Sequence, residues 1–149
     1  YVSRNVLNAL AGRMLYDLSH IKPKPVVVNT MEKFDKFYRK LIKQEIVAVD
    51  TEGRNLSVNH NAIHTMQFAF STEKGYLLPL DHPQTPFTKD QLKYIKGKLR
   101  KFFGARPGQL PLKYLITQYG VFDLMVIRVE LGLPLIWHAV WEITAGEWC

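Results

Sequence analysis

Ile46-Val47-Ala48-Val49 runs without a break into Asp50-Thr51-Glu52, and no other stretch of the chain narrows its architecture so far. A continuous apolar run of this length, without polar alternation, predicts a strand buried on both faces inside a sheet. Side chains alternate along a strand, so Asp50 and Glu52 point to one side while Thr51 points away. Two carboxylates side by side at the end of a buried strand repel each other and call for a proton or a cation. Hard cations such as Mg²⁺ take one or two carboxylates together with water and phosphate oxygens, which suits this pair. A solvated acidic pair at a strand-to-loop boundary is the bland alternative.

The elements around this strand follow from spacing. Residues 3–21 carry Val6, Leu7, Leu10, Met14, Leu15 and Leu18 at helical intervals behind Ser3 as N-cap, and Lys22-Pro23-Lys24-Pro25 breaks that helix. It either packs on the core or is the tail of an upstream domain, so residues 1–24 are separated from a main domain at 25–149. Residues 25–28 read as a short strand. Asn29-x-x-Glu32 forms a capping pattern before a helix over 30–43 with Phe34, Phe37, Tyr38, Leu41 and Ile42 on one face. Beyond a polar loop at 54–61, strands at 64–70 and 76–80 turn about Lys74-Gly75 to complete an antiparallel meander. Thr88-x-x-Gln91 caps a helix with Leu92, Ile95, Leu99 and Phe102 inward and Lys89, Lys93, Lys96, Lys98, Arg100 and Lys101 outward, ended by Gly104. Residues 112–117 form a strand reached by that helical crossover, hence parallel to the central one. A helix over 121–131 stops at Gly132 and Pro134. The order argues for one mixed α/β sheet with packed helices.

Asp123 adds a third carboxylate, in the first turn of that last helix. If the preceding strand lies parallel beside the central one, both carboxyl ends open on one edge of the sheet, where ligands of open α/β sheets bind. Taken alone, Asp123 also suits the positive end of its helix. Twenty Lys+Arg against thirteen Asp+Glu give +7, which puts nucleic acid first among partners, although a basic helix exterior also serves solubility. The single cysteine, Cys149, excludes an internal disulfide and a Cys-rich zinc site. His60, His64, His82 and His138 show no metal-ligand spacing, and Trp137, Trp141 and Trp148 fall at helix-like intervals suited to packing. No apolar run reaches membrane-spanning length, and a cytoplasmic setting in a bacterial or phage-infected cell is the expectation. The chain starts at Tyr1 and ends within residues 144–149 in mid-segment, and so reads as part of a longer protein.

Together, the buried strand ending in Asp50-Thr51-Glu52, the meander, the capped helix and Tyr119-Gly120-Val121-Phe122-Asp123 resemble the DEDD superfamily of 3′–5′ exonucleases, and in detail the proofreading domain of polymerase I-type DNA polymerases. The resemblance covers residues from 25 to the C-terminus. It implies a ribonuclease H-like mixed five-stranded sheet, three strands antiparallel and then two parallel, flanked by helices and incomplete at its C-terminal end. It implies two divalent ions, Mg²⁺ or Mn²⁺, held by Asp50, Glu52 and Asp123. It also implies a single-stranded DNA 3′ end as substrate and a polymerase domain following the chain. Gly53 takes the place where the terminal nucleotide nears the backbone, Leu56 that of an apolar residue against the terminal base, and Phe122 the aromatic position before the motif Asp. Tyr119 replaces the family's usual Asn, with Gln118 beside it as a substitute. Trp141-Glu142-Ile143-Thr144 replaces a downstream Asp-Thr, and the motif carrying the fourth Asp is absent from the 26 residues after Asp123. A feeble isolated fragment is therefore expected. The same residues fit a ribonuclease D or RecQ-helicase-type exonuclease, or a catalytically silent nucleic-acid-binding module.

Overall fold

Strand β2 (Ile46–Gly53) lies inside a six-stranded sheet of order β1-β4-β3-β2-β5-β6, built with β1 (Lys24–Val27), β3 (Ile63–Ala69), β4 (Lys74–Pro79), β5 (Tyr114–Thr117) and β6 (Ala139–Glu142). The computed structural model describes residues 24–53, 62–118 and 120–142. The helix expected over residues 3–21 and its linker to Pro23 lie outside them. Helix α1 (Met31–Leu41) follows β1, α2 (Lys89–Phe103) connects β4 to β5, and α3 (Gly120–Glu130) connects β5 to β6.

β2, β3 and β4 pair antiparallel in turn, while β5 pairs parallel with β2 and β6 parallel with β5. These five strands have the directions that the ribonuclease H-like resemblance implies. The sixth is β1, which adds to the outer edge parallel to β4. The α2 crossover explains the parallel β2–β5 pair, since a parallel neighbour needs a long connection across the sheet.

The helices share one face of the sheet. On α1, Phe34, Phe37 and Leu41 recur at helical spacing and are buried. The Phe37 ring centroid lies 5.1 Å from those of Phe68 on β3 and Tyr76 on β4. Phe103 of α2 meets Phe68 at 6.3 Å. Val47, Val49, Met66, Leu78 and Leu115 complete this layer with Val126 and Ile127 of α3.

The opposite face corrects the expectation of a strand buried on both sides. Along β2, Val47 and Val49 are buried, but Ile46 on the other face is 50% exposed, as is much of its neighbour Tyr114 on β5. Ala48, Ala69, Gly75, Leu77 and Ile116 line an open groove of about 430 Å³ there. An uninterrupted apolar run marks a strand with apolar neighbours on each side chain, and among the described residues only one of those faces has its cover.

Local chemistry accounts for the helix ends. Thr88 and Gln91 form the reciprocal capping box expected at α2, Gln91 N–H donating to Thr88 Oγ1 at 3.3 Å and Thr88 N–H to Gln91 Oε1 at 2.9 Å. At α1 the N-cap is Thr30, whose hydroxyl accepts from Lys33 N–H at 3.2 Å, while Asn29 accepts from the Lys33 ammonium instead of closing a box with Glu32. Gly132 stops α3 in the left-handed conformation, φ 61°.

Two further expectations change. Lys96, assigned from sequence to a solvated basic face, bridges Asp81 and Glu130 at 2.6 Å each and so ties α2 to the end of β4 and to α3. Trp141 stands in a strand, β6, because residues 139–142 pair with β5, so its four-residue interval from Trp137 is not a helical one.

Candidate active site

The β2–β5 register, Ile46 with Tyr114 through Ala48 with Ile116, aligns the two carboxyl ends at one edge of the sheet. Asp50 and Glu52 stand at that edge as residues of β2, opposite Gln67 and Thr65 of β3. Asp50 is half-buried and Glu52 exposed.

Helix α3 starts three residues past β5, and a glycine makes that start tight. Gly120 is buried, and a Cβ built on it would collide with Thr117 Oγ1 and press on Val140 Cγ1 at 3.3 Å. With its first turn seated this closely, α3 delivers Asp123, 3% exposed, to β2. Asp123 Oδ1 accepts two hydrogen bonds from one residue: Thr51 N–H at 3.1 Å and Thr51 Oγ1–H at 2.6 Å. The first turn of α3 is also the positive end of its dipole, which favours the buried carboxylate.

Sequence alternation rightly set Thr51 on the other side of β2 from Asp50 and Glu52, yet that side is where α3 arrives. Thr51 and Gly120 are the site residues that sequence reasoning missed. The signals were present: a hydroxyl between two acids, and a glycine where strand passes into helix three residues before a carboxylate.

The three acids share one electrostatic field. The Asp50 carboxyl is held above its ordinary value by burial first, then by the negative charges of Asp123 and Glu52, with a hydrogen bond from the Thr51 backbone working against them. The site gathers mutually repelling negative charge. No three of His, Cys, Asp and Glu among the described residues form a closed metal-binding group. The paired carboxylates of Asp50 and Glu52 fit a hard divalent cation that takes one or two carboxylates from the protein and completes its shell with water and substrate oxygens.

The remaining predicted residues are scattered around this edge. Gly53 lies exposed at the end of β2, where the register with β3 shifts between Glu52 and Gly53. Gln118, just past β5, lines the groove beside Asp50. Phe122 packs partly against the core. Leu56 lies outside the described residues, as do His60, Tyr119 and Trp148. Of the described histidines, His64 sits on β3 between the partners of Glu52 and Gly53 with its ring edge-on to that of His82 at 5.7 Å, and His138 is buried against the Phe102 and Leu112 backbones.

No protein-family model matches the sequence, and no curated protein matches it. Solved structures do. The EXO domain of Nibbler from Aedes aegypti superposes with a TM-score of 0.61 at 12% identity, over 86% of this chain and 57% of that one. RNase D of Trypanosoma brucei in complex with RNA U12 gives 0.60 at 16% identity, over 83% of this chain and 38% of that one. Escherichia coli RNase D, an exoribonuclease involved in structured RNA processing, gives 0.56 at 13% identity, over 80% and 27%. The chain thus has the ribonuclease H-like α/β fold of these exonuclease domains, and spans between 27% and 57% of their lengths.

Proposed function

We propose that the chain is the metal-dependent 3′–5′ exonuclease domain, of DEDD type, of a nucleic-acid-processing protein. The observation that carries this is the convergence of Asp123 on the Asp50-Thr51-Glu52 end of β2, across 72 residues of sequence, within a fold shared with exonuclease domains. The substrate is a single-stranded 3′ end. RNA is favoured, because the RNase D structures share the fold and one of them is in complex with RNA. The sequence motifs favour a second reading, a proofreading domain acting on DNA beside a polymerase domain.

Asp50 and Glu52 would hold the cations on the open side of β2, with Asp123 contributing from α3. When bound, two ions of Mg²⁺ or Mn²⁺ supply activation of the attacking water and neutralisation of the departing 3′ oxygen. The carboxylates position and do not attack. Hydrolysis joins the water oxygen to phosphorus and breaks the bond to the 3′ oxygen, releasing a nucleoside 5′-monophosphate and a strand one residue shorter. Gln118 lies in the groove beside Asp50, and Gly53, exposed at the end of β2, would take the terminal nucleotide.

Matched 5′-labelled RNA and DNA oligonucleotides incubated with Mn²⁺ should yield ladders shortened from the 3′ end, faster on RNA, and Asp50→Ala should abolish them. Calorimetric titration of the chain with Mn²⁺ covers the case of weak turnover. A chain that binds no Mn²⁺ through Asp50 would be a silent module, and the exonuclease assignment would fall.

A further inference from the structure

We propose that Thr51 is a positioning residue of the carboxylate site, one that sets its affinity for divalent cations by fixing Asp123 relative to Asp50 and Glu52. The inference rests on the exonuclease assignment above.

Thr51 sits between the two acids of β2, and both of its donors converge on one atom, Asp123 Oδ1. A hydroxyl bond of 2.6 Å to a carboxylate is a short, charge-assisted contact, and the backbone N–H supplies the second donor. Two donors on Oδ1 fix that oxygen against β2 and leave Oδ2 with the greater capacity for a cation. The clamp also works against a repulsion, because Asp123 and Glu52 both press their charge on Asp50. Without the Thr51 hydroxyl, one N–H among the described donors remains to hold a carboxylate that is 3% exposed and lies in the field of Asp50. Its position, and with it the geometry offered to a cation, would no longer be set. Thr51 touches neither substrate nor ion in this scheme. It acts through Asp123, as hydrogen-bonding partners behind metal ligands generally do, and losing such partners weakens metal affinity about 10–100-fold.

The test uses the full 149-residue chain, Mn²⁺ as the probe, and calorimetry for affinity, with thermal unfolding in EDTA as a fold check. Thr51→Val should weaken Mn²⁺ binding about tenfold or more, and Thr51→Ser, which keeps the hydroxyl, should restore it to within about twofold. In an Asp123→Asn background, Thr51→Val should have no further effect, because the two residues act as one unit. If Thr51→Val fails to fold, Thr51→Ala against Thr51→Ser makes the same comparison. Mn²⁺ affinity unchanged in the Val or Ala variant, with Asp50→Asn abolishing it, would overturn the role of Thr51 alone. Equal loss in the Val and Ser variants, or full loss persisting in the Asp123→Asn background, would overturn it too. If the wild-type chain and Asp50→Asn behave alike toward Mn²⁺, the exonuclease assignment fails and this inference with it.

Discussion

The same substitution at two helix glycines should move stability in opposite directions. Gly97 lies inside α2 with nothing among the described residues within 4 Å of a built Cβ. Replacing it with Ala removes backbone freedom from the unfolded chain and should stabilise the protein by about 0.8–1 kcal/mol. At Gly120 the new methyl has no room: Thr117 Oγ1 or the α3 backbone must move. Overpacking of that kind costs about 1–3 kcal/mol. Set against an entropic gain of about 0.4–1 kcal/mol, the net is a destabilisation on the order of 1–2 kcal/mol. In a domain of this size each kcal/mol moves the melting temperature by about 2–4 °C. Gly97→Ala should therefore melt about 2–4 °C above wild type and Gly120→Ala about 2–8 °C below it. Urea unfolding should show shifted midpoints with an unchanged slope. Among the described residues Thr117 Oγ1 is buried without a hydrogen-bond partner, so Thr117→Ala should cost little and should recover much of the Gly120→Ala loss in the double variant. A Gly120→Ala protein as stable as Gly97→Ala would refute the close seating of α3 on β5, and with it the placement of Asp123.

Three further outcomes follow from charges and their surroundings. The Asp50 carboxyl is raised in the folded state, so the fold loses stability as pH climbs above the ordinary carboxylate value of 3.8; in EDTA, Asp50→Asn should raise the urea midpoint at pH 7, with the advantage gone by about pH 3. His138 is shifted the other way, lowered chiefly by burial, so stability should fall as pH drops through 6.5, and His138→Gln should flatten that part of the urea profile. Lys96→Met strands Asp81 and Glu130, partly buried carboxylates that share its ammonium, and should cost about 1–3 kcal/mol in urea unfolding at neutral pH.

What could be read from sequence was whatever a short stretch encodes by itself. The α2 capping box, the meander about Lys74-Gly75 and the apolar face of α1 depend on neighbours within a few residues, and each stands as read. Asp50 and Glu52 were legible as a pair because strand alternation fixes their side. Asp123 was legible once β5 was taken as parallel to β2. Lost were features set by distant partners. Trp141 reads as helical until β5 is beside it. Lys96 reads as solvated until Glu130 and Asp81 converge on it. Thr51 reads as facing away from the chemistry, since nothing local shows that α3 brings a carboxylate to that side. The exposure of Ile46 is likewise silent in a run that looks wholly interior.

The pairing of β2 with β5 also orders events in time as the polypeptide is made. The β2–β3–β4 meander closes over short loops and is free to collapse early, bearing Asp50 and Glu52 at its rim. Asp123 joins them only after α2 and β5 have been synthesised, 72 residues beyond Thr51. A growing chain therefore carries two of its three site acids until that long loop closes.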